Sequence, residues 1–155
     1  MTLAQLLNPG RVISDMEAIE HWPAILELVD RLAKNGDLPA EGREPLLEAL
    51  RQREDQCSTG IGSGLAIPHV FSDYIDEVIA VFGRSKEGID FCSLDSNPVY
   101  FVVLFVVPTE QYNTHLRTLA AIARTLNPGA IRKQLSEAAD AEEILAVIDG
   151  RTAGV

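Results

Sequence analysis

Val99-Tyr100-Phe101-Val102-Val103-Leu104-Phe105-Val106-Val107 is apolar at almost every position and rich in β-branched and aromatic residues. A strand with one face in water alternates apolar and polar residues, whereas a strand covered on both faces does not. The run therefore predicts a central strand with helices above and below it, ended by Pro108. On its N-terminal side, residues 77–84 (EVIAVFGR) read as a second strand, apolar on both faces around Ile79 to Phe82. Leu65-Ala66-Ile67 reads as a shorter strand that stops at Pro68. Helical periodicity lies on the flanks. Ile25, Leu28, Val29 and Leu32 stripe a helix over about 23–34, stopped by Asn35-Gly36. Leu46, Leu47 and Leu50 stripe another over about 44–54, with Pro45 in its first turn. A third spans about 114–126, broken by Asn127-Pro128-Gly129. Two shorter ones follow over about 130–138 and 141–148, the last with Asp140 as N-cap. Helices and strands interspersed in this way give an α/β class. The expectation is a single domain over 1–155, with a mixed β-sheet covered by helices on both faces.

Composition bounds the function. A chain of 155 residues that is 46% hydrophobic can bury one substantial core. Thirteen Lys and Arg stand against 23 Asp and Glu, a formal net charge of -10. Such a surface is repelled by a phosphate backbone and by an anionic bilayer, so nucleic acid and membrane surfaces are excluded as expected partners. Basic protein faces are favoured instead. Cys57 and Cys92 form no C-x-x-C pair and read as thiols in a reducing compartment. The N-terminus carries no leader pattern, and the apolar run at 99–107 is far short of the roughly 20 residues a membrane helix needs. A cytoplasmic protein with no membrane insertion is expected.

The three histidines are where acid–base or nucleophilic work near neutral pH would sit. His69 follows Gly64-Leu65-Ala66-Ile67-Pro68, so the ring is delivered at a strand end with little backbone freedom. Strand ends of covered α/β sheets are where sites form, although a histidine there can simply close a hydrogen bond. The glycines before it, Gly60, Gly62 and Gly64, let the backbone bend tightly and let a second protein approach. His115 opens the 114–126 helix, where free N–H groups and the positive helix end favour an anion and a neutral ring. A polar residue on a first helical turn is the plainer reading of that position. His21, beside Trp22, reads as a surface histidine near a helix cap.

Other motifs fail. G-x-G-x-G at Gly60 to Gly64 is not the dinucleotide fingerprint, since Leu65 stands where a later glycine is required and the run follows a helix. No Lys-Ser/Thr follows, so it is not a phosphate loop either. No histidine pair has i, i+4 spacing, and a metal site from His69 and His115 lacks a third ligand. Gly62-Ser63-Gly64 is no nucleophile elbow.

The run Ser58-Thr59-Gly60-Ile61-Gly62-Ser63-Gly64-Leu65-Ala66-Ile67-Pro68-His69 resembles the signature of the fructose/mannitol-type enzyme IIA domain of the phosphoenolpyruvate-dependent sugar phosphotransferase system. Nitrogen-regulatory relatives share that signature. The similarity extends over nearly the whole chain, through Leu46 to Glu54, through Glu87 to Phe91 with Pro98-Val99, and through His115 to Arg124. The resemblance implies that His69 accepts a phosphoryl group on Nε2 and that His115 supports it. Arg53 and Thr59 match positions near the active histidine and would stabilise the phosphate. It implies an HPr-like phosphocarrier protein as donor, with an enzyme IIB domain or a regulatory target protein as recipient, and no metal or organic cofactor. A backbone carbonyl of the glycine run is expected to fix the His69 tautomer. Two readings stand beside the sugar phosphocarrier: a regulatory binding module whose phosphorylation state selects partners, and a two-histidine metal-dependent hydrolase. The chain departs from the family pattern at Val70, where Gly, Ala or Cys is usual and a β-branched side chain is expected to crowd the docking surface or restrict the loop. Phe71-Ser72-Asp73-Tyr74 also lacks the basic and glycine residues common there.

Overall fold

The computed structural model describes residues 3–56, 60–62, 64–91, 97–111, 120, 123, 124, 126 and 129–153. Helix α1 (Leu3–Leu6) and a 3-10 turn lead into β1 (Val12–Ile13), followed by α2 (His21–Lys34) and α3 (Ala40–Gln56). Four strands come next: β2 (Gly60–Gly62), β3 (Leu65–Ala66), β4 (His69–Ser72) and β5 (Ile79–Ile89). Then come β6 (Val99–Pro108), a 3-10 turn at Thr109–Gln111, α4 (Gly129–Glu137) and α5 (Ala141–Ala153). Residues 120, 123, 124 and 126 are helical, and most of the expected helix over 114–126 lies outside the described residues. So do Cys57 and Cys92.

β6 is the centre of the sheet, as its unbroken apolar run predicts. β5 pairs antiparallel along one side of it, and β3 and β4 both pair parallel along the other. β1 lies parallel to β5 at one edge and β2 antiparallel to β3 at the other, so the described sheet is six-stranded and mixed. Alternation along β6 sorts its side chains into two layers. Val102, Leu104 and Val106 join Ile25, Leu28, Leu32, Leu46 and Leu50 beneath α2 and α3. Phe101, Val103, Phe105 and Val107 join Leu3, Leu6, Ile131, Leu135, Ile144 and Ile148 on the opposite face. The class is therefore α/β, one domain with helices on both faces of a mixed sheet.

The helix ends follow local chemistry. α2 stops where Gly36 takes φ +80°, with Gly36 N–H donating to Ala33 and Asp37 N–H to Leu32. That is the paired-bond C-cap which a glycine in left-handed conformation permits. Asp140 caps α5 by accepting the Glu143 N–H at 2.9 Å. The second long helix starts earlier than its pattern suggests, at Ala40, so Pro45 lies inside α3 and not in the first turn.

β3 and β4 are in effect one strand with a gap. Leu65 faces Phe101 and His69 faces Phe105 at the same offset, so register survives Ile67-Pro68 unchanged. Pro68 still supplies its carbonyl, which accepts the Phe105 N–H at 2.9 Å. It lacks only an N–H of its own to donate to β6. The expectation that the strand stops at Pro68 is thus corrected: the proline removes one ladder bond, and pairing resumes at His69.

Candidate active site

His69 is the first residue of β4 and is half-buried. Alternation places it on the same sheet face as Leu65, Ile67 and Phe71, the layer that also holds Phe105. Its ring Nδ1 lies 3.0 Å from the Ile67 carbonyl oxygen. A carbonyl only accepts, so Nδ1 carries the proton in this pair and the lone pair of the neutral ring is on Nε2. The acceptor comes from the strand end itself, two residues upstream, and not from the glycine run as expected. The glycines have a different role. Gly64 takes φ +81°, and its carbonyl accepts from both Tyr100 N–H (2.9 Å) and Phe101 N–H (3.0 Å). A Cβ there would also stand 3.3 Å from the Tyr100 ring, so glycine is required to turn the chain into β3.

Val70, next in sequence, points the other way. It is 6% exposed and packs in the layer under α2 and α3. The expectation that it crowds the docking surface is therefore corrected, because a strand reverses its side-chain direction at every residue. His21 opens α2, half-buried, with its ring 4.1 Å from that of Phe91. It packs against the core more than a surface residue would.

Of the other residues singled out in the sequence, Arg53 has its backbone in α3 and its side chain outside the described residues. Thr59 and His115 lie wholly outside them. Ile67 escaped the sequence reading because its contribution is a backbone oxygen. Pro68 is the available signal, since it biases Ile67 to the extended form that aims the carbonyl. No group of three or more His, Cys, Asp or Glu that could hold a metal occurs among the described residues. No helix there is long and apolar enough to cross a membrane.

A mixed sheet covered on both faces, with a half-buried imidazole whose Nδ1 is held by a backbone carbonyl at a strand interruption, is the arrangement the chain presents. Comparison with known proteins gives the family. The phosphoenolpyruvate-dependent sugar phosphotransferase system EIIA 2 family matches residues 5–150, and the chain belongs to it. It is 37% identical over 96% of its length to a fructose-specific EIIABC component of Bacillus subtilis, of which it spans 23%. It is 32% identical over 96% of its length to a nitrogen regulatory protein of Bradyrhizobium diazoefficiens, of which it spans 95%. The crystal structure of nitrogen regulatory protein IIA-Ntr from Neisseria meningitidis superposes with a TM-score of 0.84 at 27% identity, covering 94% of this chain and 98% of that one. The chain is thus a homologue of phosphotransferase-system EIIA domains and of IIA-Ntr proteins.

Proposed function

We propose that the chain, 1–155 as one domain, is a cytoplasmic histidine phosphocarrier in which His69 takes a phosphoryl group from an HPr-like protein. The group then passes to an enzyme IIB domain or serves as a regulatory signal. The observation that carries this reading is the 3.0 Å contact between His69 Nδ1 and the Ile67 oxygen, which directs the nucleophilic lone pair to Nε2. That lone pair attacks the donor's phosphorus in line. A P–N bond forms to Nε2 as the donor's own P–N bond breaks, and the departing nitrogen keeps the electron pair. Phosphoryl transfer asks the protein mainly for positioning and charge stabilisation. The phosphorylated ring adds about two negative charges, by analogy with other phosphoresidues. His115, Arg53 and Thr59 are assigned to offset them. No metal or organic cofactor enters the scheme.

A regulatory role is favoured by the match to nitrogen regulatory proteins over nearly their full length. In that role the phosphorylated and unphosphorylated forms select different partners. The test is direct. Incubation with phosphoenolpyruvate, enzyme I and HPr should add one acid-labile phosphate by intact mass to the wild type and none to His69→Ala. His115→Ala should still gain phosphate but pass it on slowly. Phosphate on His69→Ala would refute the assignment.

A further inference from the structure

Phe71 lies two residues past His69 in β4, so both side chains occupy one face of the sheet. Both are partly exposed, whereas Val70 and Ser72 are buried. Ser72 ends β4, Pro108 ends β6, and the two are register partners. The chain therefore leaves both strands at one edge of the sheet, the edge towards which Phe71 lies from His69. The segments that leave carry Asp73, Asp76, Glu77 and Glu110, all exposed. Gln111 Nε2 donates to the Asp76 carbonyl at 3.5 Å, which ties the two segments together. Tyr74, in the same loop, is 44% exposed. No Lys or Arg occurs between 64 and 83 or between 97 and 111. Arg11 reaches this edge, lining a groove of about 420 Å³ with Tyr74, Asp76 and Glu77. Its guanidinium is already held by Asp37 through two hydrogen bonds of 3.1 and 2.8 Å, so it does not neutralise the four carboxylates.

We propose that Phe71 determines which donor protein docks on His69. It is an apolar seat beside the reacting imidazole, with the carboxylates of the strand-end segments beyond it. It selects a donor face that carries an apolar side chain next to its own phosphoryl group and cations around it. The inference rests on the phosphocarrier reading above. Apolar contact at the centre supplies binding free energy, and charge on the rim supplies encounter rate and rejects anionic faces. A seat one pleat away from the nucleophile also fixes the distance between the two reacting groups. A cation at position 71 would repel the basic donor while leaving the His69 tautomer untouched.

The test measures phosphoryl transfer from phosphorylated HPr, with the KM for HPr separated from kcat. Phe71→Ala should raise KM about tenfold with kcat within about twofold, the loss typical of a central interface aromatic. Phe71→Leu should recover most of it. Phe71→Lys should raise KM further at low salt. Asp73→Asn with Glu110→Gln should raise KM at low salt and have little effect at high salt. Phe71 is half-buried against the second apolar layer, so the Leu variant, which keeps an apolar side chain there, keeps the test valid if Ala disturbs folding. A wild type that is phosphorylated normally while Phe71→Ala and Phe71→Lys keep its KM overturns this inference alone. A wild type that gains no phosphate overturns the phosphocarrier reading and this inference with it.

Discussion

At the scale of the residue, the bond from His69 Nδ1 to the Ile67 oxygen matters through what it forbids. With the proton held on Nδ1, the lone pair is on Nε2, and no side chain is needed to keep it there. Because the acceptor is backbone, the device cannot be removed by changing Ile67. Val70, one residue on, allows a cleaner separation of roles. It is buried among Val106, Leu104 and the α2–α3 leucines, so Val70→Ala should cost about 2 kcal/mol, seen as a lower urea midpoint with unchanged m. Phosphoryl acceptance by the folded variant should stay within about twofold. Slower transfer without loss of stability would return Val70 to the docking surface. The sequence marks the strand-end position of His69, because Pro68 fixes its own φ and biases Ile67 to an extended form. It conceals the direction of Val70, since a reader who ends the strand at Pro68 has no alternation to apply beyond it.

At the scale of the element, Arg84 is the residue that periodicity misreads. A cation inside an apolar run looks like a strand end, yet β5 continues to Ile89 and Arg84 is 2% exposed. Its guanidinium donates to the Ser14 carbonyl (2.8 Å), to the Leu135 carbonyl (2.9 Å) and to the Ala138 carbonyl. It thereby occupies the orphan acceptors at the end of α4, where the helix dipole is negative. Nothing at position 84 in the sequence announces carbonyls more than fifty residues away. Arg84→Met should cost about 3 kcal/mol, because it leaves buried carbonyls unsatisfied. Hydrogen exchange should show the loss of protection concentrated in α4. The end of α2 was legible, because Asn35-Gly36 states its geometry locally. Gly36 takes φ +80°, and a Cβ added there would meet nothing within 4 Å. Gly36→Ala therefore costs only backbone strain, about 1 kcal/mol by chemical denaturation.

At the scale of the whole molecule, two apolar layers and a formal charge of -10 divide the work. The layers hold the sheet rigid beneath His69, and the charge acts on whatever approaches it. Both were readable from the sequence, since an unbroken apolar strand requires two covers and a charge count needs no fold. The placement of the charge was not readable, because the carboxylates at the sheet edge come from segments apart in the chain, brought together where Ser72 meets Pro108 and where Gln111 bonds the Asp76 carbonyl. On the proposed phosphocarrier reading, a strongly acidic acceptor should depend on long-range attraction to a basic donor for encounter and on short-range contact for transfer. Salt acts on the first far more than on the second, because the Debye length shrinks from about 30 Å at 0.01 M to about 3 Å at 1 M. The second-order rate constant for transfer from phosphorylated HPr should therefore fall roughly tenfold or more over that range. The single-turnover rate at saturating donor should change little. Quenched-flow measurements at matched pH separate the two quantities. If both rates held constant over that range, electrostatic steering would play no part in the encounter, and the acidic edge would be a surface without a role in transfer.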